Sequence, residues 1–277
     1  MQYTEVDIRL REVNLFADIL VAKLNEIEFE SYIEDENGVK AYVQTQRLNE
    51  VAVQEIMSDI SELTELSFRI NKIKNENWNI EWESNYQPVF INDSCVIRAH
   101  FHNSFPDMKY EIVITPKMSF GTGHHETTSL MMNQMFSLDF KKKSVLDMGT
   151  GTGVLAILAS KLGARDLVGI DYDTWSFNNA KENAALNNIS DIHFIHGDVG
   201  AISNVKYDII LANINRNVIL NDIENYVSVM DDSSEILLSG FLEEDTPLIL
   251  KKTKQLGLKL IVSKNKNKWQ MLHLKRG

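Results

Sequence analysis

The stretch that most constrains this chain runs from Asp147 to Gly153, Asp-Met-Gly-Thr-Gly-Thr-Gly. Ahead of it, after Lys141 to Lys143, Ser144-Val145-Leu146 reads as a short buried strand. Behind it, Val154 to Leu162 reads as a small apolar helix, and Gly163 is placed to cap its end. The unit is strand, glycine-rich turn, helix. Glycines let a backbone pass close to a ligand where any Cβ would intrude, and their entropy cost argues against a turn that binds nothing. The helix start presents free N–H groups and a partial positive charge.

After this turn the chain alternates. Strands are expected at Leu167–Asp171, Ile192–His196, Tyr207–Ala212 and Ile236–Gly240, and helices at Thr174–Asn187, Val218–Met230 and Pro247–Leu256. Two closing strands, Leu258–Ser263 and Trp269–Leu274, flank Lys264 to Lys268 and suggest one antiparallel edge. The alternation implies an α/β, doubly wound, mostly parallel sheet with ligands at the carboxyl ends of its strands.

The first part reads differently. Strands at Tyr3–Leu10, Phe29–Glu34, Val39–Gln44 and Leu66–Ile73 and helices at Val13–Leu24 and Leu48–Ser61 give the order β-α-β-β-α-β, the ferredoxin-like split motif. On the first helix Leu15, Ile19 and Ala22 share a face, and Asn37-Gly38 marks a tight turn between strands. We therefore divide the chain into a small α+β recognition domain (1–74), a linker helix (75–88) with Trp78, Trp82 and Tyr86 on one face, and an α/β domain (89–277). Val89 to Thr115 has hairpin character, and an apolar helix is expected over Thr127–Phe136.

No apolar run approaches the ~20 residues of a membrane span, and Cys95 is the only cysteine, so no internal disulfide or cysteine-based metal site forms. A cytoplasmic protein without a signal peptide or membrane partner is expected. The net charge of −11 argues against a broad phosphate-binding face. His124, His125 and Glu126 lack H-E-x-x-H spacing, and no metal site is expected.

The chemistry gathers just past the strand ends. Asp147 and the glycines follow the first strand, Asp171 the second, Gly197-Asp198 the third, and Asn213-Ile214-Asn215-Arg216 the fourth. A carboxylate at Asp171 accepts two hydrogen bonds and suits the ribose hydroxyls of an adenosine. Asp198 suits its amino group. Gly151-x-Gly153-x-x-Ala156 meets a loose dinucleotide pattern, whose pyrophosphate wants the helix dipole. Asp147-x-Gly149-x-Gly151-x-Gly153 instead matches the S-adenosylmethionine loop at every fixed position, and an acid such as Asp147 suits that ligand's cationic end.

Three segments carry a closer resemblance: Phe120-Gly121-Thr122-Gly123-His124-His125-Glu126-Thr127-Thr128, Asp147 to Ala156, and Ala212-Asn213-Ile214. Together they resemble the PrmA family, class I S-adenosylmethionine-dependent methyltransferases acting on large-subunit ribosomal protein L11. The similarity covers roughly 76–277. It implies a class I methyltransferase domain behind a ferredoxin-like recognition domain and linker helix. It also implies contacts to the cofactor from Thr128, Gly149, Asp171 and Asn213, with Phe120 and the Gly121 loop covering it. The cofactor-binding set is then Phe120, Gly121, Thr128, Asp147, Gly149, Gly151, Gly153, Asp171, Asp198 and Asn213. Asn215-Arg216-Asn217 departs from the small or apolar residues of many members, at the substrate entrance.

The implied reaction moves methyl groups to lysine ε-amines, to the N-terminal α-amine, or to both. Asn213 is the residue expected to act catalytically, by orienting the amine or the methionine end through its side-chain oxygen. No general base is assigned, and His124 is the nearest candidate. A monomer that needs no nucleic acid is expected. Two other readings stand beside this one. Asn213 resembles the first position of the N-P-P-Y motif of base amino methyltransferases, against which the missing prolines and the charge weigh. A protein that binds S-adenosylmethionine without turnover is the other.

Overall fold

Regular alternation of buried and half-buried residues along Tyr3–Leu10 builds β1, the first element of the computed structural model, which describes residues 3–72, 86–117 and 119–277. The chain divides into two units, Met1–Trp82 and Glu83–Gly277. The first holds β1, α1 (Val13–Asn25), β2 (Ser31–Asp35), β3 (Gly38–Gln44), α2 (Glu50–Ser61) and β4 (Leu66–Lys72). Its sheet runs β2-β3-β1-β4, antiparallel throughout. Asn49 starts α2 by accepting the Ala52 N–H on its side chain. The core face of α1 is Val13, Ala17, Leu20 and Leu24. Leu15, Ile19 and Ala22 do share a face, but it is the exposed one. The helix expected over 75–88 falls outside the described residues except for 86–88, which are irregular.

The second unit opens with β5 (Val89–Asn92), β6 (Cys95–Ala99) and β7 (Tyr110–Ile114). The hairpin holds for β5 and β6, whereas β7 joins β6 in parallel. There follow α3 (Glu126–Met135), β8 (Ser144–Met148), α4 (Val154–Lys161), β9 (Arg165–Asp171), α5 (Thr174–Leu186), β10 (Ile192–His196), β11 (Tyr207–Asn213), α6 (Arg216–Ser228), β12 (Met230–Leu242), α7 (Thr246–Gln255), β13 (Leu258–Lys266) and β14 (Trp269–Arg276). Gly163, at φ 97°, ends α4 with Gly163 N–H to Ser160 O and Ala164 N–H to Ala159 O, both reaching back to the last turn.

The large sheet runs β10-β9-β8-β11-β12-β14-β13. Strands β8 to β12 pair in parallel, and β14 lies antiparallel to both β12 and β13. The antiparallel strand is thus not the edge strand expected from sequence. It is inserted one place in, because a tight hairpin at Asn267-Lys268, both left-handed, folds it back between its neighbours. One apolar cluster centres on Val154 to Ala159 of α4, with Met131 and Met135 of α3. Another sets Met148 and Ile170 against Ile219, Ile223 and Tyr226 of α6. Burying two such faces is what fixes the strand ends in one row.

Asn183 on α5 and Asn187 at its C-terminal cap tie the small sheet to the glycine turn. Asn187 and Asn183 accept the N–H groups of Val113 and Thr115 at 3.0 and 2.8 Å, and Asn183 also donates to Thr152 O at 2.9 Å. Residues four apart on a helix share a face, so one row of amides satisfies the open edge beside β7.

Candidate active site

Each glycine of the turn has positive φ: Gly149 at 67°, Gly151 at 56° and Gly153 at 79°. At the first two a Cβ has no room. It would come within 2.3 Å of Ile214 Cγ2 at Gly149 and within 2.3 Å of the Phe120 carbonyl oxygen at Gly151. The turn is clamped by the segment before α3, since Thr152 N–H donates to Phe120 O at 2.9 Å and Thr152 Oγ1 to Gly121 O at 2.6 Å. Two stretches thirty residues apart in sequence therefore form one wall.

Beside this wall lies a cavity of about 890 Å³ at the carboxyl ends of β8, β9, β10, β11 and β12. Of the expected site residues, Phe120, Gly149, Gly151, Asp171, Asp198 and Asn213 line it. Gly121, Thr128, Asp147 and Gly153 do not; they lie behind the lining and hold it. Asp147 is wholly buried, and its Oδ2 accepts from Thr150 Oγ1 at 2.7 Å within the turn. Burial pushes its carboxyl up to about 7. Its place is under the turn, and its buried Oδ1 has no partner among the described residues.

Asp171 is fixed from both sides. Its Oδ2 accepts the Gly151 N–H at 2.8 Å and its Oδ1 the Asp173 N–H at 3.0 Å. An ionised carboxylate has about four acceptor sites, so each oxygen keeps one for a ligand hydroxyl. Asp198 is exposed, and Oδ1 accepts the Gly200 N–H.

Asn213 ends β11 with only 9% of its surface exposed. Its Nδ2 donates to Thr128 Oγ1 at 3.3 Å, while its buried Oδ1 has no partner among the described residues. A buried acceptor without a donor is costly, on the order of 1–3 kcal/mol, and marks a place where a ligand donor belongs. Gly240 of β12, at φ 96°, lets the Ile214 backbone pass where a Cβ would meet the Ile214 oxygen at 2.3 Å.

Two lining residues, His125 and Trp269, are given no role from the sequence. His125, not His124, reaches the cavity. His125 caps α3: its Nδ1 accepts the Thr127 N–H at 3.3 Å. That leaves the neutral ring's proton on Nε2, so no free lone pair is available for a general base. His124 is exposed and points its Nε2 at Gln87 O, 3.1 Å away. Trp269, at the start of β14, packs edge-on against His125 at 4.5 Å, and His125 against Phe120 at 5.1 Å. Phe120 is half exposed. Trp269 joins the site only because β14 is inserted inside the sheet, a placement that local pattern does not reveal.

The lining is anionic. Asp171, Asp173, Asp198 and Asp222 line the cavity, and among the described residues no Lys or Arg does. A pyrophosphate would meet repulsion there, whereas a nucleoside with a cationic tail would not. The dinucleotide reading of the glycine turn is disfavoured on this ground. Among the described residues no cluster of three metal-ligating side chains occurs.

With this geometry in view, the comparisons are direct. The sequence profile of the family described as Ribosomal protein L11 methyltransferase (PrmA) matches residues 11–277. A ribosomal protein L11 methyltransferase of Phocaeicola vulgatus is 43% identical over 273 residues, 97% of each chain. One of Porphyromonas gingivalis is 43% identical over 265 residues, 92% of this chain and 89% of the relative. The crystal structure of a ribosomal protein L11 methylase from Lactobacillus delbrueckii subsp. bulgaricus matches with a TM-score of 0.63 at 29% identity, over 69% of this chain and 99% of that one.

Proposed function

The chain belongs to the ribosomal protein L11 methyltransferase family, and on that premise we propose that its cavity holds S-adenosylmethionine and presents an amine of ribosomal protein L11 to the cofactor's methyl group. It is a protein methyltransferase, and the base-methylating and non-catalytic alternatives give way to that membership. The acceptor is a lysine ε-amine, the N-terminal α-amine, or both.

The observation that carries the reading is the orphaned Oδ1 of Asn213, buried in the cavity wall next to the glycine turn. The residues suit the cofactor. Gly149 and Gly151 line the cavity with bare backbone, packed from behind by Ile214 and Phe120, and Asp171 offers two held oxygens to the ribose. When bound, S-adenosylmethionine supplies an electrophilic methyl on a sulfonium.

The rest is the protein's work. A lysine with pKa ~10.4 costs roughly 4 to 5 kcal/mol to deprotonate at pH 7. Transfer into a closed cavity lowers that cost by disfavouring the cation. The Asn213 Oδ1 accepts an N–H of the neutral amine, which turns the nitrogen lone pair toward the methyl. The rings of Phe120, His125 and Trp269 keep water out of that line. Alignment of this kind is worth up to ~7–11 kcal/mol in favourable cases. His125, its Nδ1 engaged by the α3 cap, takes no proton, and the proton leaves to solvent.

The part from residue 1 to 74 is read as the recognition domain and 75–88 as its link to the catalytic domain at 89–277. The protein is read as a cytoplasmic monomer that needs no nucleic acid. The test is transfer of radiolabelled methyl from S-adenosylmethionine to purified unmethylated ribosomal proteins and, separately, to ribosomal RNA. Label confined to L11 supports the reading, and peptide mapping then assigns the amines. Label in RNA alone refutes it.

A further inference from the structure

The cavity extends past the residues that the mechanism uses. On the side of α6 its lining includes Val218, Asn221, Asp222 and Tyr226. With Met148, Ile170 and Val199, which also line it, Val218 makes an apolar wall beneath the ends of β8, β9 and β10. The side chains of Met148, Ile170 and Tyr226 belong to one buried cluster, against which Val199 packs. An apolar wall of this kind suits a flat heterocycle.

Two polar groups stand in that wall. Asp222 is only 7% exposed, and the one side-chain donor it meets at hydrogen-bonding distance with a residue other than Tyr226 is Asn221, whose Nδ2 lies 2.5 Å from its Oδ1. A carboxylate with about four acceptor sites is left short of donors there. Four residues on, one helical turn away, Tyr226 is fully buried, and its hydroxyl stands beside the Asp222 carboxylate. Burial raises the Tyr226 pKa, and the charge of Asp222 and a hydrogen bond to it raise it further. With Asn221 and Tyr226 beside it, the Asp222 carboxylate still keeps acceptor sites that a ligand amino group would fill. Asp198, by contrast, is exposed, and its Oδ1 accepts the Gly200 N–H.

We propose that Asp222, on α6, is the residue that reads the exocyclic amino group of the cofactor's adenine, with Tyr226 completing the same polar niche. The inference rests on the reading that this cavity holds S-adenosylmethionine. The chemistry is one of exclusion as much as attraction. An amino group gives its N–H to the carboxylate. A 6-oxo base would place a carbonyl oxygen against it, acceptor facing acceptor in a buried site, and sites built for a hydrogen bond reject such analogues strongly. Asp222 is then a specificity residue for the base, acting at a distance from the methyl group.

The test compares the product S-adenosylhomocysteine with S-inosylhomocysteine, its 6-oxo analogue, by calorimetric titration of the full chain. The native protein is expected to prefer the amino form by at least ~10-fold, the scale of one buried hydrogen bond of about 1.4 kcal/mol. In Asp222→Asn the side-chain amide can donate to a 6-oxo group, so the ratio is expected to fall toward one or invert. Asp198→Asn is expected to keep the native ratio. The ratio is read within each variant, so a general loss of affinity does not mimic the effect. Thermal melting of Asp222→Asn verifies folding, and Asp222→Glu serves as a second variant with the charge retained and its position shifted. A native ratio in both Asp222 variants overturns the inference while leaving the cofactor reading intact. A ratio that collapses in Asp198→Asn instead assigns the base to Asp198 and overturns it too. Failure of the native protein to bind either compound overturns the cofactor reading itself, and the inference with it.

Discussion

Replacing Asp171 by Asn probes the joint between fold and site. Both carboxylate oxygens accept backbone N–H groups, from Gly151 at 2.8 Å and from Asp173 at 3.0 Å. An asparagine amide has one acceptor oxygen. Whichever way it turns, its NH₂ faces one of the two N–H groups. One charge-assisted hydrogen bond is lost, worth about 1.5–3 kcal/mol, and the other becomes a neutral one. Because Asp171 is 93% buried, water does not repair the loss. For a unit of this size 2–3 kcal/mol corresponds to roughly 4–12 °C in Tm. The glycine turn loses its anchor at Gly151, and a ribose hydroxyl loses an ionised acceptor. Cofactor affinity should therefore fall by roughly 30- to 150-fold. Differential scanning calorimetry reads the first number and calorimetric titration with S-adenosylhomocysteine the second. A variant with native Tm and native Kd would falsify the claim that Asp171 couples the turn to the ligand.

Other outcomes follow from the same geometry. Asn213→Ala should lower single-turnover methyl transfer by roughly 10²–10³-fold, the scale of losing one oriented polar group, with cofactor Kd nearly unchanged; a change confined to Kd would refute its role toward the amine. Asp147 carries a folded pKa of about 7, raised above the unfolded value near 3.9. Its contribution is therefore full below pH ~4 and lost as pH rises through 7, by up to about 1.4 kcal/mol per unit. Denaturation midpoints of Asp147→Asn should accordingly gain on the native protein between pH 4.5 and 7.5, and parallel curves would count against this. Gly240→Ala should destabilise by at least ~2 kcal/mol, since its Cβ would meet the Ile214 oxygen at 2.3 Å; urea titration decides. Cys95 is buried and its thiol is pushed up to about 12, so a thiol reagent should label it only after unfolding.

Much of this architecture was legible in the chain. β1 and β10 fall where the sequence places them, and Asn37-Gly38 gives the hairpin of the first unit. The glycines with Asp147, Asp171 and Asn213 mark three neighbouring strand ends. What stayed hidden depends on contacts distant in sequence. The outward face of α1 carries Leu15 and Ile19, so periodicity revealed a stripe but not which stripe is buried. His125 and His124 are adjacent, and only the α3 cap decides which ring turns inward. Asp147 sits in the turn's signature but beneath its backbone, where burial changes its chemistry. Asp222 lies two turns into a helix that reads as an ordinary amphipathic one, and Trp269 is brought in by the order of the sheet.

That order has a consequence for how the chain is made. β13 reaches the sheet only through β14, which is paired on both sides and follows every other described element in sequence. During synthesis the strands from β8 to β12 can assemble as they emerge, but β12 keeps a bare edge until residues 269–276 have left the ribosome. The last-emerging strand also carries Trp269 into the cavity. A growing chain should thus acquire a sheet well before it acquires a complete site.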